Sequence, residues 1–217
     1  MKIIVTGATG MVGEGVMLEC LKDPLVEKVL SVSRRPCGHT HPKLEECLVQ
    51  DFMKLSEVEA QLTGYQGCFY CAGVSSVGMS EADYTRVSYD TPLAFATTLA
   101  RLDPNLVLTY VTGAHTDSSE QGRVMWARVK GKAENALARL PLRAAYSFRP
   151  GLMEPVPGQK NLKRSYRFLM VLLPLFRLFL PSLSLSEVGR AMLRCVSNGA
   201  PKNVLEIEDI RKLAQES

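Results

Sequence analysis

The amino-terminal run Lys2-Ile3-Ile4-Val5-Thr6-Gly7-Ala8-Thr9-Gly10-Met11-Val12-Gly13 constrains the fold more than any other stretch of the chain. An apolar, strand-like segment leads straight into glycines spaced Gly-x-x-Gly-x-x-Gly, and Val12, Val16, Met17 and Leu21 then recur at helical intervals. Strand, glycine turn and helix together make the opening unit of a dinucleotide site. Gly7 permits the tight turn off the strand, Gly10 lets the backbone approach a pyrophosphate, and Gly13 lets the helix lie close to the sheet. Unpaired N–H groups at the helix start, with their partial positive charge, then face the phosphates.

Strand and helix patterns alternate through the rest of the chain. Residues 27–33 read as a second strand, 48–52 as a third, 67–70 as a fourth, 106–112 as a fifth and 144–149 as a sixth. Between them, residues 55–62 fit a short helix. Residues 80–102 fit a long amphipathic one, opened by Ser80 and Glu81 and stopped by Asp103-Pro104-Asn105. Residues 186–197 predict a further helix, with Ser184 or Ser186 as its cap and Gly199 as its stop, followed by a strand at 203–207 and a short charged helix. The pattern predicts an α/β fold, a Rossmann-type doubly wound parallel sheet with a small C-terminal helical substrate region. At 217 residues, 46% of them hydrophobic, the chain suits one domain. Residues 1–155 form the dinucleotide-binding part, and 156–217 a substrate or lid region completing the same domain.

The second strand ends in Ser33-Arg34-Arg35-Pro36, where an NAD site usually places an acid about twenty residues beyond the glycines to hold the ribose 2′-OH. Here two arginines stand instead. A planar guanidinium pairs well with a 2′-phosphate, so NADP(H) is favoured over NAD(H), the alternative being that both arginines solvate a surface loop. The net charge of +4 comes without a basic block interleaved with aromatics, and no nucleic-acid partner is expected. The six cysteines include Cys68-x-x-Cys71, but no second pair lies nearby, so buried apolar thiols are expected rather than a redox or zinc site. His39 and His41 read as exposed loop residues, and no metal is expected. With no stretch that reads as a signal peptide, a cytoplasmic, reducing compartment is the expectation.

The spacing Gly7-x-x-Gly10-x-x-Gly13 resembles that of extended and atypical short-chain dehydrogenases/reductases, and further segments carry the resemblance. Cys71-Ala72-Gly73 resembles the Asn-Ala-Gly segment that lines the cofactor, Val87-Ser88-Tyr89-Asp90 a stretch beside the catalytic centre, and Arg149-Pro150-Gly151 the turn that closes over nicotinamide. The chain is similar to the NAD-dependent epimerase/dehydratase group, and within it to the Tat-interactive-protein-like or NmrA-like branch. The resemblance implies cofactor contacts at Gly7, Thr9, Gly10, Met11, Val12, Gly13, Ser33, Arg34, Arg35, Asp51, Phe52, Cys71, Ala72, Gly73, Thr112, Lys130, Pro150 and Gly151, with Asp51 and Phe52 on the adenine.

It also implies a Ser or Thr after the fifth strand and a Tyr-x-x-x-Lys on the next helix, where four-residue spacing sets both groups on one face and the ammonium lowers the phenol's pKa. This chain reads Trp126-Ala127-Arg128-Val129-Lys130: the lysine stands and the tyrosine is a tryptophan. An indole N–H donates but does not titrate near neutrality. Catalytic candidates are therefore Thr112 to polarise a carbonyl, Lys130 to orient the ribose, and His115 as a substitute acid or base, weighed against a loop histidine of no catalytic use. Tyr84, Tyr89 and Tyr110 are other sources of a phenol, with Tyr110 expected to be packed. The implied function is an oxidoreductase or epimerase-like enzyme on a small apolar carbonyl substrate, the alternative being a catalytically degenerate NADP(H)-sensing regulator or scaffold, as a monomer or homodimer.

The segment 166–181 is strongly apolar but interrupted by Arg177 and Pro174, too short to span a bilayer, which takes about 20 residues. Lys160, Lys163, Arg164 and Arg167 precede or open it. A helix pair packed on the substrate side or a dimer surface is the plainer reading, and peripheral membrane contact the other.

Overall fold

The structure, a computed structural model, describes residues 1–162 and 181–216. A seven-stranded sheet, parallel throughout, has the order β3-β2-β1-β4-β5-β6-β9. Its strands are β1 (Lys2–Thr6), β2 (Lys28–Ser33), β3 (Leu44–Leu48), β4 (Gly67–Tyr70), β5 (Val107–Val111), β6 (Ala144–Arg149) and β9 (Val204–Glu206). A small parallel pair, β7 (Leu152–Glu154) and β8 (Ser182–Ser184), lies beside it. The helices are α1 (Met11–Lys22), α2 (Glu81–Thr85), α3 (Thr91–Leu102), α4 (Met125–Leu137), α5 (Leu185–Asn198) and α6 (Ile207–Gln215).

Alternation along β1 explains why its whole apolar run is buried: Ile3 and Val5 enter the core under α1, α5 and α6, while Ile4 enters the opposite core under α3 and α4. Helix α5 lies so close to α1 that a Cβ on Gly15 would fall 2.6 Å from Leu185 Cδ1. A capping box starts α5: the Ser184 hydroxyl accepts from the Glu187 N–H at 3.2 Å and the Glu187 carboxylate accepts from the Ser184 N–H at 2.7 Å. The cap is thus Ser184, with Gly199 at φ 79° as the stop. Strand order reverses between β1 and β4, and a crevice opens at the carboxyl ends of the strands there.

Three expected elements differ. The third strand is at Leu44–Leu48 rather than 48–52, because it is the sheet edge, where exposed Glu45 and Glu46 hide the alternation and only Cys47 is fully inside. The expected helix at 55–62 is a single 3₁₀ turn, Glu59–Leu62, pinned by buried Leu55 and Leu62. The long helix at 80–102 starts at its predicted cap, Ser80, but widens into a π turn at Arg86–Asp90 between α2 and α3. Pro92 explains the break: it has no N–H for the carbonyl of Ser88, and its ring crowds that oxygen. The π turn leaves the Ser88 carbonyl free to accept the Tyr110 hydroxyl at 2.8 Å. The apolar stretch at 166–181 lies outside the described residues except for exposed Pro181; no described helix is long and apolar enough to cross a membrane.

Candidate functional site

The glycine turn is built by contact. Gly7 sits at φ 74°, and a Cβ there would lie 2.7 Å from the Ala72 nitrogen on the turn after β4; a Cβ on Gly13 would lie 2.3 Å from the Gly7 oxygen. Gly10 differs. The nearest atom to its added Cβ is the Gly7 oxygen at 3.5 Å, an ordinary contact, so the surrounding protein does not demand glycine here. Gly10 caps α1 without any side-chain hydrogen bond and lines the crevice, so the N–H groups of the first helical turn have no side-chain acceptor there. A cradle that a Cβ would narrow, at a bare helix start, fits a diphosphate.

The crevice has a volume of about 560 Å³. Gly7, Thr9, Gly10, Met11 and Val12 floor it; Ser33, Arg34, Arg35, Asp51 and Phe52 form one end, and Cys71, Ala72 and Gly73 the other wall. Val87, from the stretch expected beside the catalytic centre, completes the lining with Gln50, Tyr70, Val74 and Thr91, for which the sequence offered no role in the site. Val87 and Thr91 belong to the π turn and its continuation, so the break caused by Pro92 shapes the crevice. The Ser33 hydroxyl donates to the Arg35 carbonyl at 2.6 Å and fixes the loop that carries both exposed arginines. Neither guanidinium has an ion-pair partner among the described residues. One Asp51 oxygen accepts from the Met53 N–H at 2.9 Å, and Phe52 packs on Phe95 with ring centroids 5.4 Å apart. Cys71 is pushed up to about 12 by burial, and burial likewise holds Cys68 well above the usual thiol range, so both stay protonated.

The remaining predicted residues do not line this crevice, and the structure corrects several roles. Gly13 lies beneath it, against the turn. Thr112 does not present its hydroxyl proton to a carbonyl substrate: it donates to Glu134 at 2.6 Å. The cause is the buried Glu134 carboxylate, 3% exposed, which needs donors and takes them from Thr112 and Arg149, whose Nε lies at 3.1 Å. Lys130 is 8% exposed, with Nζ donating to the Tyr110 hydroxyl at 3.1 Å and the Val111 carbonyl at 3.2 Å. Burial lowers its pKa to about 8, against the opposing pull of Glu134. Tyr110 is packed as expected, at 2% exposure; Tyr84 is buried too, and the Lys132 ammonium lies 4.5 Å over the Tyr89 ring. Pro150 is buried, its carbonyl accepting from the Ala114 N–H at 3.1 Å, and a Cβ on Gly151 would meet Ile207 at 2.8 Å, so this turn is packed against the start of α6.

His115 stands apart, exposed and at φ 67°, beside a second cavity of about 150 Å³ that it shares with Trp126. Of the loop histidines, His41 accepts from the Lys43 N–H at 3.2 Å, while His39 is not merely a loop residue. Its Nε2 reaches the buried carboxylate of Glu14 at 2.6 Å. Glu14 was not singled out in the sequence. It also accepts from the backbone N–H of Lys160 at 2.6 Å and of Asn161 at 2.8 Å, tying that loop onto the cofactor-side end of α1. The sequence clue was a charged residue set between Gly13 and Gly15 on a helix packed on all sides.

Comparison with known proteins agrees with this architecture. WbmF of Bordetella bronchiseptica, solved in complex with NAD+, superposes with a TM-score of 0.70 at 16% identity, covering 98% of this chain and 76% of that one. DesIV of Streptomyces venezuelae, a dTDP-glucose 4,6-dehydratase solved with NAD and TYD bound, gives 0.69 at 13% identity, covering 95% and 75%. Leucinostatins biosynthesis cluster protein T of Purpureocillium lilacinum is 29% identical over 143 residues, 64% of this chain and 52% of that protein, so the match spans about half of the relative's length. The model of the NAD dependent epimerase/dehydratase family matches residues 3–120, from β1 through the loop after β5. With more than half of its length matched by that model, the chain belongs to the NAD dependent epimerase/dehydratase family, and it shares its fold with these solved structures.

Proposed function

We propose that the chain is an NADP(H)-dependent oxidoreductase or epimerase-like enzyme acting on a small apolar carbonyl compound. The observation that carries the reading is the crevice itself, in which the bare start of α1, the Gly10 cradle and the paired Arg34 and Arg35 face one another. The helix start accommodates a diphosphate, the two guanidiniums a 2′-phosphate, and Asp51 with Phe52 the adenine end. When bound, the nicotinamide gives or takes a hydride. Lys130, whose buried ammonium holds the Tyr110 hydroxyl and the Val111 carbonyl, is the positioning group for the nicotinamide ribose in this reading. Because the Thr112 hydroxyl donates to Glu134 and the Lys130 ammonium to Tyr110 and Val111, polarising the substrate oxygen falls in this reading to His115, whose ring has no partner among the described residues. The test is NADPH oxidation over a panel of small aldehydes, ketones and quinones: activity that falls by about a hundredfold or more in Lys130→Ala supports it, and no oxidation with any member sinks it.

A second reading rests on a different observation. Trp126 occupies the tyrosine's place and the Thr112 hydroxyl is engaged by Glu134, which suits a protein that binds NADP(H) without turning it over, as a sensor or scaffold. Trp126→Tyr separates the two. A large gain of activity marks a degenerate site, whereas loss of an existing activity marks the indole as part of the working one.

A further inference from the structure

The second cavity, about 150 Å³, is bounded by Trp126, Val124, Ala127, His115 and Arg123, and lies just beyond Gly113 at the end of β5. The Trp126 ring edge forms part of that approach, Cζ3 being 3.7 Å from where a Cβ on Gly113 would sit. The cavity is open to solvent, with His115, Arg123 and Val124 exposed at its edge, and its volume is about that of a single benzene-sized ring. The acid in the wall is occupied: Asp117 accepts from the Ser119 hydroxyl at 2.6 Å, the Ser119 N–H at 3.0 Å and the Gly122 N–H at 2.7 Å, and these bonds hold its carboxyl below the usual range. His115 and Arg123 have no hydrogen-bond or ion-pair partner among the described residues. His115 also holds a left-handed backbone, at φ 67°, that a non-glycine residue adopts only at a cost.

We propose that this cavity is a subsite for the planar ring of a conjugated carbonyl compound, with the Trp126 indole as its stacking wall and His115 and Arg123 as donors to the carbonyl oxygen at its rim. The proposal rests on the oxidoreductase reading and gives that reading its substrate class. Aromatic faces bind flat apolar rings through offset stacking, and a single acceptor matches the two uncommitted donors. A sugar ring matches less well: Val124, Ala127 and the indole face offer its hydroxyls nothing, and the Asp117 carboxylate is already engaged by Ser119 and Gly122, which leaves His115 and Arg123 at the rim for several hydroxyls.

Trp126 is the only tryptophan, so its fluorescence reads the cavity directly. The full chain is titrated with acetophenone and, separately, with methyl glucoside, and calorimetrically with NADPH on the same sample. Saturable quenching by acetophenone but not by methyl glucoside is expected. In Val124→Phe, where the exposed side chain at the mouth is enlarged into the cavity, acetophenone affinity is expected to fall at least about tenfold. If circular dichroism shows that Val124→Phe does not fold, Arg123→Ala carries the same test, weaker acetophenone binding supporting the subsite. Quenching that does not saturate, equal binding of methyl glucoside, or affinity unchanged in the variant that folds overturns it. NADPH binding without acetophenone binding overturns the subsite and leaves the cofactor reading standing; acetophenone binding without NADPH binding does the reverse.

Discussion

His39 Nε2 lies 2.6 Å from Oε1 of Glu14, a carboxylate with no solvent exposure in the first turn of the cofactor helix. Together with the N–H groups of Lys160 and Asn161, the imidazole satisfies a charge that burial would otherwise disfavour. Glu14→Ala strands these donors and is expected to cost roughly 3–5 kcal/mol, read as a lowered midpoint in urea. His39→Ala, which leaves both backbone donors in place, is expected to cost less. Equal midpoints for wild type and Glu14→Ala would show that the carboxylate holds nothing together.

Gly13 and Gly10 separate folding from binding. An added methyl at Gly13 overlaps the Gly7 carbonyl at 2.3 Å, so Gly13→Ala is expected to lose several kcal/mol of stability or fail to fold. At Gly10 the nearest contact is 3.5 Å, and Gly10→Ala is expected to fold normally yet bind dinucleotide more weakly, since the methyl narrows the crevice. Thermal melts and nucleotide titration of the two variants check both halves. Similar melting of both would contradict the contact argument.

The strands at 67–70 and 144–149, the glycine turn and a helix start at Ser184 or Ser186 were legible because each depends on neighbours in sequence. The crevice was legible for the same reason, since its floor is one turn and its ends are strand termini at the switch point. What pairs across the chain was not. Glu14 meets His39 and Lys160, and Glu134 meets Arg149 and Thr112, through packing that leaves no local pattern. The Glu134 pair shows the consequence: Thr112 stood where a resemblance placed a catalytic hydroxyl, and only the folded chain reveals that its proton is engaged. The π turn lay between these cases, since Pro92 is visible but the acceptance of Tyr110 by Ser88 is not.

Lys130 makes stability depend on pH in a defined direction. Its pKa is lowered by burial from 10.5 to about 8, so between those values the unfolded chain binds the proton that the folded chain lacks. Stability from this residue is therefore greatest above about pH 10.5, declines as pH falls toward 8, and stays at its reduced level below. At about 1.4 kcal/mol per unit, the penalty at neutral pH is of order a few kcal/mol. Lys130→Met is expected to raise the melting temperature at pH 7 and to lose that advantage as the pH approaches 10. A gain that does not change with pH would assign it to packing instead.

Binding of NADP(H) in the crevice is the claim on which the other readings depend, and calorimetric titration of NADPH and NADH tests it most directly. Wild-type protein is expected to bind NADPH more tightly than NADH. The double variant Arg34→Ala, Arg35→Ala is expected to lose about 10–100-fold for NADPH, as removal of charge-assisted bonds implies, while NADH affinity is unchanged. No heat of binding with either nucleotide, or equal losses for both in the double variant, would contradict the account.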